Sequence, residues 1–189
     1  MNHQPATNLV SKLPAAGTTI FTVMSKLAQE EGAINLAQGF PDFDGPAALR
    51  ERVSWHMDHG HNQYAPLAGV PELRQQIARK VAELYGCNVN PVTEITVTPS
   101  ATEALFCAIT AVVQPGDEVV TFEPYYDSYA ATIALAGGVR RTSVLRFPDF
   151  AVDEASLRAA FSSRTRLVLL NTPHNPTGKV FPRAELELV

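Results

Sequence analysis

The feature that most constrains the fold of this 189-residue sequence is a regular alternation of short apolar runs and helical patterns after Glu94. The patterns predict strands at 95–98, 118–122, 140–145 and 167–170, with helices at 102–113, 125–136 and 153–161 between or beside them. Strands joined by helices of this length need crossover connections, which make the strands parallel and cover both faces of the sheet. We therefore expect an α/β fold, a three-layer sandwich with a mostly parallel sheet.

The residues before Glu94 show a different pattern, in which helices alternate with loops. Helical signals cover 25–32, 46–60 and 71–86, and the segments 33–45 and 62–70 predict loops. The last of these helices has the strongest signals, since Pro71 suits a first helical turn and Gly86 suits a helix end. Later in the chain Asp153 predicts a helix cap, followed by three core-facing residues, Leu157, Ala160 and Phe161.

Composition excludes several classes of protein. Hydrophobic residues make up 46% and charged residues 18%, and the mean hydropathy of -0.02 is typical of a globular chain. The net charge of -4 and the lack of a Lys/Arg-rich run argue against nucleic acid as a partner, and no 18-residue apolar run predicts a membrane span. Cys87 and Cys107 are too few for a disulfide framework, so we expect Cys107 to be buried and the protein to be cytoplasmic.

Three loops that follow predicted strands carry polar or aromatic side chains. In residues 98–104, Ser100 and Thr102 would add hydroxyl groups to the free N–H groups of a first helical turn, which bind anions, although an ordinary helix cap has the same composition. The tyrosines of 123–129 could either pack in the core or stack on a flat cofactor. The amides of 171–179 could either form a turn or bind a ligand. Ligands of open α/β sheets collect at the carboxyl ends of strands, so the three loops together indicate a binding site.

Six motifs occur in one order along the chain. They are Asn35 to Phe43, Asn62 to Tyr64, Ser100 to Leu105, Gly116 to Val119, Glu123 to Tyr129 and Asn171 to Lys179. In this order and spacing they resemble the class I/II aminotransferases, and the resemblance covers nearly the whole chain from about Leu13. It is strongest to the methionine and the kynurenine/glutamine aminotransferases, and His174 resembles the methionine branch.

The resemblance implies an enzyme of fold type I that depends on pyridoxal 5'-phosphate (PLP). Ser100, Ala101 and Thr102 would hold the PLP phosphate at the helix terminus. Tyr126 would stack on the pyridine ring, but a shift of the loop by one residue would give this role to Tyr125.

The resemblance also implies substrate contacts and a partner subunit. Asn175 would hydrogen-bond the phenolic oxygen of the PLP ring and help to hold the substrate carboxylate, and Asn171 would support its loop. Gly39 would lie beside the substrate, and Phe21 would line the substrate pocket. Tyr64 would reach the phosphate of the other subunit's cofactor, so the enzyme would be a homodimer.

No catalytic residue is expected in this chain. The family's Schiff-base lysine, the acidic partner of the pyridinium nitrogen and the carboxylate-binding arginine all follow the matched region. None of the four lysines present is expected to replace that lysine: Lys12, Lys26 and Lys80 are expected in solvated positions, and Lys179 does not match the family's Schiff-base position. A helix that opens at 181 continues for only about two turns, so we expect the amino-terminal half of a longer protein. Residues 1–45 would be an amino-terminal arm and small-domain segment, and 46–189 the first part of the PLP-binding large domain.

Three functions stay open at this point. The first is transamination between an L-amino acid (methionine, aromatic or glutamine-like) and a 2-oxo acid by the full-length protein. The second is β-elimination on cysteine conjugates, which some relatives perform on the same scaffold. The third is a non-catalytic remnant that binds PLP weakly or not at all. A metal site is not expected, because the five histidines form no helical pair with a carboxylate.

Overall fold

The computed structural model describes residues 10–13, 17–39 and 41–189, so Phe40 of the first motif lies outside the described residues. The described residues fall into two compact units: the first is Gly17–Val97, and the second is Thr98–Val189 together with residues 10–13. The boundary predicted after residue 45 refers to the domains of the complete protein and stays a prediction. In the described part of the chain, no helix is long and apolar enough to cross a membrane.

The described residues of the first unit form three helices, as the sequence predicts. They are α1 (Ile20–Glu30), α2 (Ala47–Asp58) and α3 (Pro71–Tyr85). The first helix begins earlier than predicted because the Thr19 hydroxyl accepts a hydrogen bond from the Thr22 N–H, which caps the helix. The last ends as predicted: Gly86 takes a left-handed conformation with φ 65°, which is favourable for glycine.

The strand predicted at 95–98 is wrong. No strand pairs with this segment among the described residues. Its backbone groups are bound individually instead, since the Val97 N–H donates to the Ala68 carbonyl at 3.0 Å and the Ile95 carbonyl accepts from Arg74 Nε at 3.0 Å. An apolar run becomes a strand only where a neighbouring strand supplies the ladder of hydrogen bonds.

The second unit contains a parallel three-stranded sheet, which confirms the predicted α/β class. Its elements in chain order are α4 (Ala101–Val112), β1 (Glu118–Glu123), α5 (Ser128–Leu135), β2 (Val139–Val144), α6 (Glu154–Ala160), β3 (Thr165–Leu169) and α7 (Arg183–Leu186). The strand order is β2-β1-β3, so β1 is central. The chain crosses in one direction through α5 and in the other through α6, and two right-handed crossovers of this kind place their helices on opposite faces.

The core lies on both faces of β1. On one face Val119 packs with residues of α4 and α5, namely Ile109, Tyr129 and Ile133. On the other face Val120 and Phe122 pack with Leu145, Leu157, Ala160 and Phe181. Each fully buried Ile or Phe side chain contributes about 1.5–3 kcal/mol relative to an exposed one. Helices therefore cover the two faces of one sheet, as in the predicted three-layer arrangement.

Two burial predictions are wrong. Phe161 is 38% exposed because α6 ends at Ala160, and the extended backbone of Phe161 directs its side chain away from the inward face of the helix. Cys107 is exposed because α4 directs Ile109, its one buried residue, toward the sheet. Cys87 is exposed as well. Both errors come from extending an apolar pattern beyond the residues that meet the sheet.

A buried carboxylate secures the amino-terminal end of the sheet. Glu118 begins β1 and is fully buried. Its oxygens accept hydrogen bonds from the Ser162 hydroxyl at 2.7 Å and from Arg164 Nη2 at 2.6 Å, and Arg141 Nε lies 3.6 Å away. The Ser162 hydrogen bond and the Arg164 guanidinium hold the pKa of Glu118 below its ordinary value. This end is opposite the strand ends that carry the candidate site.

Candidate functional site

The amino terminus of α4 presents unpaired hydrogen-bond donors. Ser100 caps the helix, since its hydroxyl accepts from the Glu103 N–H at 3.2 Å. The Thr98 hydroxyl donates to the Ser100 carbonyl at 2.9 Å and holds the turn. Among the described residues, the N–H groups of Ala101 and Thr102 have no acceptor, and both residues are exposed. The helix dipole adds partial positive charge here, so this terminus suits an anion.

Tyr126 lies beside this helix terminus. Its hydroxyl and the Thr102 hydroxyl are 3.1 Å apart, within hydrogen-bond distance, although 24 residues separate them in the chain. The Tyr126 ring meets the buried Tyr129 ring edge-on, with centroids 5.8 Å apart. The loop that leaves β1 and the start of α4 therefore share one place in the second unit.

The loop after β3 is closed by its own hydrogen bonds. Asn171 Oδ1 accepts from the Asn175 N–H at 3.0 Å. The His174 N–H donates to the Lys179 carbonyl and the Gly178 N–H donates to the His174 carbonyl, both at 2.7 Å. The Asn175 side chain is exposed at the end of this closed loop. Asn171 thus supports the Asn175 backbone directly.

His174 anchors the same loop to the core. The residue is 4% exposed, its Nδ1 lies 2.9 Å from the Thr177 hydroxyl, and its ring meets the Phe181 ring edge-on at 5.7 Å. Burial lowers the pKa of His174 below the ordinary histidine value, because the charged imidazolium loses its hydration there. Burial therefore favours the uncharged imidazole, which packs against the Phe181 ring.

Lys179 is held in an ion pair. Its Nζ lies 2.9 Å from the Glu185 carboxylate and 3.3 Å from the Asp149 carbonyl, and its side chain is 11% exposed. The pair joins the loop after β3 to α7, since Glu185 lies in that helix. The pair has no signature in the sequence, because its members are six residues apart and not at the three- or four-residue spacing of helical ion pairs.

Parallel strands bring the loops to one edge of the sheet. The strands β1 and β3 are parallel neighbours, so the loops after Glu123 and Leu169 leave the same edge. The contact between Tyr126 and Thr102 brings the α4 terminus to the β1 loop. One edge thus combines N–H and hydroxyl donors for an anion, an aromatic ring and an exposed amide, which is the chemistry that a phosphorylated planar ring requires.

Three predicted site residues belong to the first unit. Phe21 lies on α1 and is partly buried, and Gly39 lies in the exposed loop after α1. Among the described residues, no atom outside its own chain neighbours lies within 4 Å of a Cβ placed on Gly39. Tyr64 lies in the loop before α3 and is fully exposed. The roles expected of these three residues stay predictions.

Within residues 10–13, 17–39 and 41–189, no three His, Cys, Asp or Glu side chains lie close enough together to hold a metal ion.

A further residue that sequence analysis missed is Arg140, whose guanidinium lies 4.4 Å from the centroid of the Tyr125 ring. The only sequence signal was its place near the start of a predicted strand. The contact became visible only with the pairing of β2 and β1.

Comparison with known proteins gives the family. Residues 31–189 match "Aminotransferase class I and II". A methionine aminotransferase of Escherichia coli (strain K12) is 57% identical over 175 residues, which are 93% of this chain and 45% of the relative. A probable N-succinyldiaminopimelate aminotransferase of Mycobacterium tuberculosis is 44% identical over 183 residues, 95% of this chain and 46% of the relative. Kynurenine-oxoglutarate transaminases are among the other matches.

The fold agrees with these matches. A crystal structure from Escherichia coli whose study identified a methionine aminotransferase function has a TM-score of 0.91 at 55% identity, over 95% of this chain and 47% of that chain. Its likeness confirms the predicted fold type I. The chain spans about half the length of the curated relatives it matches. Enzymes of this family use PLP, the predicted cofactor. The chain belongs to the class I and II aminotransferases.

Proposed function

We propose that the complete protein carrying this sequence transfers an amino group from an L-amino acid to a 2-oxo acid, with PLP as cofactor. The observation that carries the proposal is the hydrogen-bond contact between Tyr126 and Thr102. It brings an aromatic ring to a helix terminus with two free N–H groups, those of Ala101 and Thr102. PLP carries a phosphate and a flat ring, so the residues present fit both parts of the cofactor.

Ser100, Ala101 and Thr102 would bind the phosphate. A phosphate at this terminus accepts from the free N–H groups and gains from the helix dipole. The small Ala101 side chain lets a phosphate approach the backbone closely. If the Tyr126 hydroxyl donates to Thr102 Oγ1, the Thr102 proton is free to donate to a phosphate oxygen.

Tyr126, rather than Tyr125, would stack on the pyridine ring. The Tyr125 ring is occupied by the Arg140 guanidinium at 4.4 Å, whereas the Tyr126 side chain reaches the α4 terminus. Both rings pack partly against the apolar cluster around Val119. These separate contacts support an anchoring role for Tyr125 and a cofactor-binding role for Tyr126.

Asn175 would donate its amide to the phenolic oxygen of the ring and to the substrate carboxylate. Its backbone is held by Asn171, and the buried His174 keeps the loop in place. PLP supplies the electron sink when bound, and the protein supplies orientation and charge. This chain would therefore contribute the phosphate-binding residues, the contact with the ring and half of the carboxylate site.

The proposed amino donors are methionine, aromatic or glutamine-like amino acids. The name of the Escherichia coli relative supports methionine. The Mycobacterium tuberculosis relative is named for a different substrate, so family membership alone does not select the donor.

The proposed assembly is a homodimer in which Tyr64 reaches the phosphate of the other subunit's cofactor. The full exposure of Tyr64 is compatible with such a contact. Gly39 and Phe21 would border the substrate. The cytoplasmic location expected from the two cysteines stays a prediction.

The test uses the complete protein with PLP. Methionine, kynurenine, phenylalanine and glutamine are each incubated with a 2-oxo acid acceptor, and both products are quantified. We expect the new amino acid to form in equal amount to the new oxo acid, only when the acceptor is present. An Asn175→Ala variant should lose most of this activity, while Asn88→Ala, a change in an exposed loop residue of the first unit, should not.

Two results would contradict the proposal. Oxo acid formation without an acceptor would indicate an elimination reaction instead. Full activity of the Asn175→Ala variant would show that the loop after β3 does not contribute to the site.

A further inference from the structure

Arg140 makes three contacts around the end of β1. Its guanidinium carbon lies 4.4 Å from the centroid of the Tyr125 ring. Its Nη1 donates to the Thr142 hydroxyl at 2.8 Å and lies 3.7 Å from Glu123 Oε2. The Arg140 side chain is 30% exposed, so these contacts are partly shielded from water. A cation over an aromatic ring at this distance is attracted by the negative face of the ring.

The sheet register explains why Arg140 reaches this place. Arg140 pairs with Val119, and paired residues of parallel strands face the same side of the sheet. Val119 faces the α4 and α5 layer, which also contains the partly buried Tyr125. Because β2 is an edge strand, the long Arg140 side chain can extend along this face toward the loop after β1.

Among the described residues, the Tyr125 backbone makes no hydrogen bond, unlike the backbones of Glu123 and Tyr126. The Glu123 carbonyl accepts from the Leu145 N–H at 2.7 Å and the Tyr126 carbonyl from the Tyr129 N–H at 3.1 Å. The position of Tyr125 therefore depends on its side chain. That side chain lies between the apolar cluster around Val119 and the Arg140 guanidinium.

We propose that Arg140 is a positioning residue for the cofactor ring, acting through Tyr125 on the adjacent Tyr126. Arg140 holds both Glu123 and Tyr125, which are the residues before and after Pro124 in the loop that leaves β1. With Tyr125 fixed, the next side chain is directed toward Thr102 at the α4 terminus. This inference rests on the proposed function, because it assumes that Tyr126 contacts PLP.

The test compares variants of the complete protein. Arg140→Met keeps most of the apolar part of the side chain and removes the guanidinium. Arg140→Lys keeps the positive charge but loses the planar guanidinium that contacts both Thr142 and Glu123. The matched control is Arg141→Met on the same strand, where the side chain faces the other side of the sheet and approaches Glu118. Each variant is measured for the PLP dissociation constant, the visible circular dichroism of bound PLP and the melting temperature of the apoprotein.

We expect Arg140→Met to raise the PLP dissociation constant about three- to tenfold, as for the loss of one partly shielded cation–π contact. The visible circular dichroism, which reports the orientation of the ring, should decrease, and Arg140→Lys should restore part of it. The apoprotein melting temperature should shift by less than about 2 °C. Arg141→Met should leave the PLP dissociation constant and the circular dichroism of bound PLP unchanged.

A Tyr126→Ala variant separates this inference from the proposed function. If Tyr126→Ala weakens PLP binding and Arg140→Met leaves binding and dichroism at wild-type values, the inference about Arg140 is overturned and the proposed function stands. Equal losses in Arg140→Met and Arg141→Met would also overturn the inference. If Tyr126→Ala itself binds PLP with wild-type affinity and dichroism, the proposed role of Tyr126 is wrong and the role of Arg140 is lost with it.

Discussion

Replacing Tyr126 by phenylalanine removes one hydroxyl group and keeps the aromatic ring. That hydroxyl lies 3.1 Å from the Thr102 hydroxyl, whose residue is exposed at the α4 terminus. A net hydrogen bond contributes about 0.5–1.5 kcal/mol, and the lower part of this range, about 0.5–1 kcal/mol, applies to a bond accessible to water. We therefore expect PLP affinity to fall about two- to fivefold in Tyr126→Phe.

Removing the ring as well should have a larger effect. Tyr126→Ala loses the hydrogen bond and the stacking contact, and an aromatic pair contributes about 0.5–1.5 kcal/mol beyond its buried area. The sum of about 1–2.5 kcal/mol corresponds to an affinity loss of about 5- to 70-fold. The assay is a titration of the complete apoprotein with PLP, followed by the visible absorption of the bound cofactor.

The matched control is Tyr125→Phe. Among the described residues no side-chain hydrogen bond to the Tyr125 hydroxyl is present, and the ring beneath Arg140 is retained. This variant should bind PLP with wild-type affinity. Wild-type affinity in both Tyr126 variants, together with a loss in Tyr125→Ala, would refute the reasoning and assign the stacking ring to the preceding residue.

Three predictions concern the support of the site. Glu118 has a lowered pKa, so the stabilisation from its carboxylate is present above about pH 4.3 and is lost as the pH falls through the lower folded-state value. In Glu118→Gln, the free energy of unfolding measured with urea should therefore depend less on pH in the acid range. Asp153 caps α6 by accepting from the Ser156 N–H at 2.6 Å, and Asp153→Ala should lower the unfolding free energy by about 0.5–2 kcal/mol in urea titrations. His174 has a pKa lowered by burial, so its imidazole should titrate below about pH 6.5 in NMR spectra, and stability should decrease as the pH falls below that value.

Each of these predictions has a contradicting result. An unchanged acid limb in Glu118→Gln would show that another group controls acid unfolding. Equal unfolding free energies for Asp153→Ala and the exposed control Asp149→Ala would show that the cap contributes nothing. A His174 imidazole that titrates at or above pH 6.5 would contradict its burial in the loop after β3.

Local signals in the sequence predicted the elements well. Pro71 and Gly86 act on their own helix, through the free first turn and the left-handed end, so α3 was predicted within a residue of its observed limits. The parallel sheet followed from the alternation of strands and helices. The strand prediction for 95–98 is wrong because strand formation depends on a partner strand. The burial prediction for Phe161 is wrong because a periodic pattern does not show where its helix ends.

The site was only partly predictable for a related reason. Ser100 is a cap that its own sequence indicates, and Asn171 supports a loop only four residues away. The contact of Tyr126 with Thr102 joins residues 24 positions apart. The contact of Arg140 with Tyr125 required the pairing of two strands. Interactions of this kind depend on the tertiary arrangement and have no local pattern in the sequence.

The central claim is that the α4 terminus binds the phosphate of PLP beside the Tyr126 ring. A crystal structure of the complete protein with PLP tests it most directly. We expect phosphate oxygens within hydrogen-bond distance of the Ala101 and Thr102 N–H groups, with the Tyr126 ring parallel to the pyridine ring and the Asn175 amide at its phenolic oxygen. A phosphate bound elsewhere, with the α4 terminus in contact only with water, would contradict the claim.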